Sequence, residues 1–214
     1  MSQTFGKTRW RRFAVVMVPT LVATAAVGMS VAQGALAASF SISGSQFKVS
    51  ADTLTGQGFT QYGNVDVQVP STSEPAGTKL NWVPVAVSGF KHAEINNLCQ
   101  SVAMQTPIGT YTLTIHAGQD PNNPVEADTL LMDMTDLKAQ TAKFTDINIG
   151  VADSAVSDGP IEGTVQKATP DGFAQEATSA TLTGVQQTAW ATSAGSFELN
   201  GMHLSVASGD NGCF

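Results

Sequence analysis

The sequence predicts an all-β protein in which a curved antiparallel sheet folds into a sandwich or a partly open barrel, with short helices at most. Apolar residues recur at every second position in several segments, which is the spacing of a sheet with one buried face. Helical spacing is scarce, and several apolar runs end at a glycine. A β-solenoid is the alternative fold, although the apolar runs lack the fixed period that marks a solenoid.

The first 37 residues predict an N-terminal signal helix. Four basic residues precede nineteen uncharged ones at 13–31, and Ala35-Leu36-Ala37 supplies a small-x-small cleavage site. A basic segment, an apolar segment and such a site together form a secretory signal peptide. We therefore expect cleavage before Ala38 and a single β-rich domain over residues 38–214. The protein is then secreted or belongs to the extracytoplasmic cell envelope.

The same segment allows two alternatives. Its apolar run approaches the roughly 20 residues that span a bilayer, so residues 13–31 could instead stay in the membrane as an uncleaved anchor. Arg11-Arg12 also fits a twin-arginine address, which leaves the export route open between the general and the twin-arginine pathways.

The charge of the mature part excludes one class of partner. Residues 38–214 hold all seventeen carboxylates, six lysines and no arginine, a formal charge of −11. Nucleic acids are bound through clustered Lys and Arg, and phosphate clamps favour the guanidinium fork. We therefore expect no nucleic-acid partner. The sequence contains no pattern that indicates an oligomeric state.

Cys99 and Cys213 are the only cysteines. Two cysteines in an oxidising compartment predict one disulfide, which here would join the C-terminus to the middle of the chain. A thiolate nucleophile or metal ligand is the alternative, but neither cysteine belongs to a Cys-x-x-Cys pair.

Several segments carry the strand pattern. Tyr111, Leu113 and Ile115 face one way while the intervening threonines and His116 face the other, which predicts a half-buried antiparallel strand. Further strands are predicted at residues 47–51, 65–69, 147–151 and 79–90. In the last of these, Pro84 requires a bulge or a sheet edge. Helical spacing occurs only at residues 92–102 and 136–143.

The apolar phase reverses at Gly201. Apolar residues occupy odd positions before it and even positions after it, and a glycine bulge produces such a reversal because one extra residue turns over all the following side chains. We therefore expect a curled sheet with both sets buried. The residues are Phe197, Leu199, Met202, Leu204 and Val206.

A curled sheet with an apolar inner face leaves room for an acyl chain or a sterol. Methionine suits such a lining because its flexible thioether adapts to different guests. Ordinary core packing is the alternative for each residue taken singly. The residues assigned to ligand binding are Leu130, Met132, Met134, Phe144, Trp190 and Phe197.

Catalytic patterns are weak. The mature part lacks the Gly-x-Ser-x-Gly turn that presents a nucleophilic serine. On a strand, His92 and Glu94 would share a face and orient each other, which makes them the candidates for a base and its partner. A structural salt bridge or hydrogen bond is the alternative. We predict no metal and no cofactor, since zinc and EF-hand patterns are absent, although residues 120–124 and 133–136 carry oxygen ligands of the type that calcium prefers.

Several segments spread over the mature part resemble a family of exported streptomycete and related actinobacterial proteins. Most members are uncharacterised and some carry the name cholesterol esterase. The resemblance implies a secreted or envelope protein and sterol-ester hydrolysis, and it brings no catalytic residues. The segments are residues 38–44, 47–52, 90–94, 99–102, 172–176, 187–192 and Cys213.

Three functional hypotheses follow. The first is a non-catalytic envelope protein that binds or carries a lipid-like or sterol ligand. The second is a secreted carboxylic ester hydrolase acting on sterol or lipid esters, and the third is a structural surface protein with a closed core. We prefer the first because it needs only the pattern that is present.

Overall fold

The computed structural model describes residues 41–42, 45–68, 81–162 and 172–214. They belong to one compact unit, Ser39–Phe214. The predicted export signal, residues 1–37, lies outside the described residues. In the described part of the chain, no helix has the length and apolar character needed to cross a membrane.

The described residues form eleven strands and a short 3-10 helix. The strands are β1 (Ser41–Ile42), β2 (Phe47–Gln68), β3 (Asn81–Asn96), β4 (Leu98–Thr106), β5 (Gly109–Ala117), β6 (Val125–Lys138), β7 (Thr141–Thr145), β8 (Asn148–Ala152), β9 (Phe173–Ser193), β10 (Ser196–Glu198) and β11 (His203–Ser208), and the 3-10 helix is Asp153–Ala155.

Four long strands pair in a ring. β2 pairs with β3, β3 with β6, β6 with β9, and β9 returns to β2, each time antiparallel. The predicted all-β class is confirmed, since the antiparallel sheet curves back on itself as in a sandwich or a partly open barrel. A β-solenoid is wrong because its coils pair in parallel.

The ring strands turn their side chains over at residues in the left-handed region, which glycine enters without strain. Gly58 in β2 has φ 62° and Gly184 in β9 has φ 58°. The side chain facing the interior is Leu54 before Gly58 and Phe59 after it. The predicted phase reversal therefore exists, but at these residues.

Gly201 has another role. With φ 64° it lies in the turn between β10 and β11, which pair with different strands. The expected burial of Met202, Leu204 and Val206 is wrong, since they are 54%, 50% and 58% exposed. β11 pairs with β5 at one end of the sheet, and its apolar side chains point away from the core.

Both predicted helices are wrong. Residues 92–102 belong to β3 and β4, and residues 136–143 belong to β6 and β7. Pairing with neighbouring strands overrides a weak local helical spacing. The prediction for Pro84 holds, because it lies opposite Val65 of β2 and beyond Ala86, where pairing of β3 with β6 begins.

The protein has two apolar cores on opposite sides of the ring strands. The larger core fills the interior and includes Phe59, Phe90 and Met134. The smaller one lies on the outer side of β2, β3 and β6 and contains Tyr62, Val85, Val87, Leu131 and Ala174. Residues 156–162 pack over this outer core.

Hydrogen bonds fasten residues 156–162 to the sheet. The backbone N–H groups of Ser157 and Asp158 donate to Glu176 Oε2 at 2.8 and 3.0 Å. Thr60 Oγ1 donates to the carbonyl oxygen of Pro160 at 2.7 Å. These N–H groups lower the pKa of Glu176, the bond from Ser157 contributing most.

The C-terminal tail is fixed against β4 and β5. Cys99 and Cys213 are bonded with an S–S distance of 1.99 Å, which confirms the predicted disulfide. The Asn211 N–H donates to Thr112 Oγ1 at 3.0 Å, and the Cys213 N–H donates to Ser101 Oγ at 2.9 Å. The tail thus covers the hydroxyl face of β4 and β5, and Thr112 is buried.

We predict that replacing both cysteines by serine lowers the free energy of unfolding by about 2–4 kcal/mol, because the unfolded chain regains the entropy of an open loop. The closed loop spans 114 residues. Urea unfolding of the oxidised wild type and the double variant measures the difference. Coincident unfolding curves would contradict the prediction, and reductant should shift only the wild type.

We predict that Glu176 makes stability depend on pH at the acid end. Because its pKa in the folded protein is lowered from 4.5, its stabilisation is complete above that value and disappears as pH falls through the folded pKa. Glu176→Gln should lower the melting temperature at neutral pH. The difference in melting temperature from wild type should become smaller in acid. Glu198→Gln, at an exposed carboxylate, is the control. The same difference in melting temperature at both pH values would contradict the prediction.

Candidate functional site

The interior of the ring holds an apolar cavity of about 240 Å³. All four ring strands and the β6–β7 hairpin contribute to its wall. The lining residues are Leu54, Phe59, Gln61, Ser88, Phe90, Met132, Met134, Leu137, Ala139, Ala142, Phe144, Leu182, Val185 and Gln187. None of them carries a charge, so the wall favours an apolar guest.

Strand alternation places the two methionines in the wall. Met132 and Met134 point inward from β6, and Asp133 between them points outward, as successive strand residues must. Both methionines are buried, at 6% and 1% exposure. Their thioethers are the most adaptable groups of the wall.

Three phenylalanines contact one another in the wall of the cavity. The ring centroids of Phe59 and Phe90 lie 5.3 Å apart, and those of Phe59 and Phe144 lie 5.1 Å apart, in tilted arrangements. Gly56 leaves room for this cluster, since a Cβ there would lie 2.3 Å from Cδ1 of Phe90. The aromatic contacts make this part of the wall apolar, from the buried Phe59 and Phe90 to the half-buried Phe144.

The mouth of the cavity lies at the β6–β7 hairpin. Ala139 and Ala142 line the cavity and are exposed, and Leu137 and Phe144 are half-buried. The lining residues farther along the ring strands are buried, apart from the half-buried Gln61. A guest would therefore enter beside this hairpin.

Three polar side chains interrupt the apolar wall. Gln61 Nε2 donates to Ser88 Oγ at 2.9 Å, and Gln187 Nε2 donates to the Met132 sulfur at 3.5 Å. A thioether is a weak acceptor. The Gln187 amide can therefore exchange this partner for an ester or carboxyl oxygen of a guest.

Four of the six residues predicted for ligand binding belong to the interior. Three of them line the cavity, namely Met132, Met134 and Phe144. Leu130 is buried in the same core without reaching the cavity.

The other two lie elsewhere. Trp190 packs against the outer core. Phe197 is on β10 and is 38% exposed.

Most residues of the cavity wall are not among those predicted from the sequence. Leu54, Phe59, Leu182 and Val185 line the cavity from β2 and β9. Their period-two pattern is broken at Gly58 and Gly184, so no single alternation joins them. Positive φ at those glycines was the missing information.

The proposed pairing of His92 with Glu94 is not what the structure shows. His92 Nδ1 lies 2.8 Å from Asp128 Oδ1 on the neighbouring strand β6. Glu94 is exposed and lies opposite Glu126 of β6. Cross-strand proximity has thus replaced the expected contact along one strand.

Asp128 also accepts a hydrogen bond from Ser196 Oγ at 2.8 Å. The His92 contact, followed by the Ser196 contact, lowers the pKa of Asp128. The serine hydroxyl therefore contacts the carboxylate rather than the imidazole. Nucleophilic catalysis needs the hydroxyl on the base, so this exposed group lacks the geometry of a hydrolase triad.

Comparison with known proteins gives a family without an assigned activity. A family model described as "Family of unknown function (DUF6230)" matches residues 43–214. No curated protein matches the chain, and no solved structure matches it. The match spans nearly all of the predicted mature part. The chain therefore belongs to the DUF6230 family of unknown function.

Proposed function

We propose that this protein binds a single alkyl chain of a lipid-like molecule inside its ring of strands, outside the cytoplasm and without catalysing a reaction. The uncharged cavity with a mouth at the β6–β7 hairpin carries the proposal. The predicted export signal supports the location, and the resemblance to exported actinobacterial proteins agrees with it.

The size of the cavity favours a chain over a sterol. Its volume is about 240 Å³. A dry cavity of about 150 Å³ accommodates benzene, whereas pockets that bury drug-sized molecules run from about 300 to 1,000 Å³. A fused sterol nucleus exceeds the available space, while a flexible chain of moderate length matches it.

The polar wall gives the guest an orientation. Gln187 is buried, at 2% exposure, and its amide faces the cavity beside Met132. The Gln187 amide would donate a stronger hydrogen bond to a carboxyl or ester oxygen of the guest than it donates to the Met132 sulfur. The guest is therefore amphipathic, with one polar oxygen group and one alkyl chain.

The remaining hypotheses are weaker. An ester hydrolase, including the cholesterol esterase that the resemblance implies, needs a nucleophile beside a base, and Ser196 and His92 do not meet. A structural surface protein has no use for an open apolar cavity. Both alternatives predict different outcomes in the experiment below.

We predict that affinity for fatty acids rises about fourfold per added methylene until the cavity is full, because each buried methylene contributes about 0.8 kcal/mol. Displacement of a fluorescent fatty acid by unlabelled acids of increasing length measures this series. Ala142→Trp fills the mouth and should weaken binding at least tenfold. Its melting temperature should not fall, because Ala142 is exposed and a larger side chain there displaces no buried group.

Thr145→Trp is the matched control, since Thr145 is exposed on the same strand and points away from the cavity by alternation. Equal binding by both variants would place the ligand elsewhere. Hydrolysis of short-chain esters that disappears in His92→Ala would favour the hydrolase. No binding of any chain length, with clean organic extracts of the purified protein, would leave the structural hypothesis.

A further inference from the structure

Three carboxyl groups meet on the outer side of the ring, away from the cavity. Asp66 on β2, Asp133 on β6 and Glu162 in the covering segment each offer one oxygen, and these oxygens lie within 4.8 Å of one another. Three separate parts of the chain thus converge on one point.

The fold explains why these residues meet. Asn64 and Asp66 point to the same face of β2, because they are two residues apart. Glu162 is held over that face, since its N–H donates to the Tyr62 hydroxyl at 2.9 Å and its Oε2 accepts from Asn64 Nδ2 at 2.9 Å. Asp133 reaches the same face from β6, across β3.

Burying these carboxyl groups together raises the free energy of the folded protein unless a cation compensates them. Asp66 is 5% exposed and Asp133 is 3% exposed. Among the described residues, Asp66 Oδ2 and Asp133 Oδ1 are buried and have no hydrogen-bond partner. In the described part of the chain, ion pairs form at His92–Asp128 and Lys138–Asp136, so neither involves this cluster. Buried carboxylates are normally paired with a cation or bind a metal.

The protonation behaviour agrees with an uncompensated cluster. The pKa of Asp133 is raised to about 8, chiefly by burial and also by the neighbouring carboxylates of Glu162 and Asp66. Burial also raises the pKa of Asp66 to about 6. The pKa of Glu162 is raised by burial and by Asp66. A bound cation would offset both the cost of burying these carboxylates and the repulsion between them.

We infer that Asp66, Asp133 and Glu162 form a calcium site on the outer face of the ring. The donors are all carboxylate oxygens, which hard cations prefer. Nitrogen and sulfur ligands of the kind that zinc selects do not contribute to the cluster.

The spacing allows one cation to contact all three side chains, because their oxygens lie within 4.8 Å of one another. The number of carboxylates favours calcium over magnesium. Calcium takes six to eight oxygen ligands in flexible geometry, whereas magnesium keeps several waters and is usually held by one or two carboxylates.

The site departs from the prediction that no metal is bound. Among the acidic segments noted in the sequence, Asp133 and Asp136 do not share a site. Asp133 is buried, whereas Asp136 is exposed and lies 3.4 Å from Lys138 Nζ. The acidic turn at residues 120–124 instead folds on itself, as Asp120 Oδ1 accepts from the Asn122 N–H at 3.0 Å.

Thermal unfolding of the purified protein after EDTA treatment tests the site. Calcium at about a hundred times its Kd should raise the melting temperature by about 5–10 °C. Asp133→Asn should abolish the rise, and without calcium it should melt no lower than wild type, because an amide of the same size replaces a buried carboxyl group that lacks a partner. Asp66→Asn should behave in the same way. Glu126→Gln, at an exposed carboxylate on the same strand, should retain the full response.

Terbium luminescence gives a second measurement. Tyr62 contacts the backbone of Glu162 and should sensitise terbium bound at the cluster. Calcium should displace this signal, and Asp133→Asn should eliminate it. The inference is overturned if calcium causes neither a thermal shift nor displacement, if Asp133→Asn responds like wild type, or if magnesium stabilises the protein as strongly as calcium does.

Discussion

The return of β9 to β2 is the contact on which the rest of the structure depends. Residues 47–62 of β2 pair with residues 174–189 of β9, while the other edge of β2 pairs with β3 and β4. Both edges of β2 are therefore occupied along much of its length. An open sheet with the same strands would present two edges to water and would enclose no interior. The cavity exists because this ladder closes the sheet on itself.

Closure also divides the side chains of each ring strand between two environments. In β6, Met132 and Met134 face the cavity while Asp133 lies in the outer core. The calcium site and the cavity are thus opposite faces of one strand. An ion that fixes Asp133 also fixes the backbone that carries both methionines, so the rigidity of the cavity wall depends on the outer face.

The sequence was sufficient for the fold class and for the disulfide, because both follow from local signals. Alternation identifies strands, and two cysteines allow only one pairing. It was insufficient for the wall of the cavity, since Gly58 and Gly184 reverse the inward phase within continuous strands. Thr129 in β6 does the same with φ 51°, and no sequence pattern marks a threonine for the left-handed region.

Contacts between distant residues were the other source of error. The partner of His92 is 36 positions away in the chain, and the ligands of the acidic cluster come from β2, β6 and residue 162. Such groupings arise from strand register and from the path of the covering segment. Spacing along the chain carries neither, which is why His92 was assigned to Glu94 and why Asp133 was considered together with Asp136.

The energetic cost of the cavity bears on its purpose. An unfilled cavity costs about 24 cal/mol per Å³, so 240 Å³ amounts to roughly 6 kcal/mol if it is dry. That is comparable with the whole stability of a domain, about 5–15 kcal/mol. Larger side chains at Ala139 or Ala142, which line the cavity, would fill such space readily. Water that enters at the mouth forms few favourable contacts with an apolar wall. An alkyl chain therefore offsets the cost of the cavity better than solvent does, which agrees with a protein whose cavity holds a ligand.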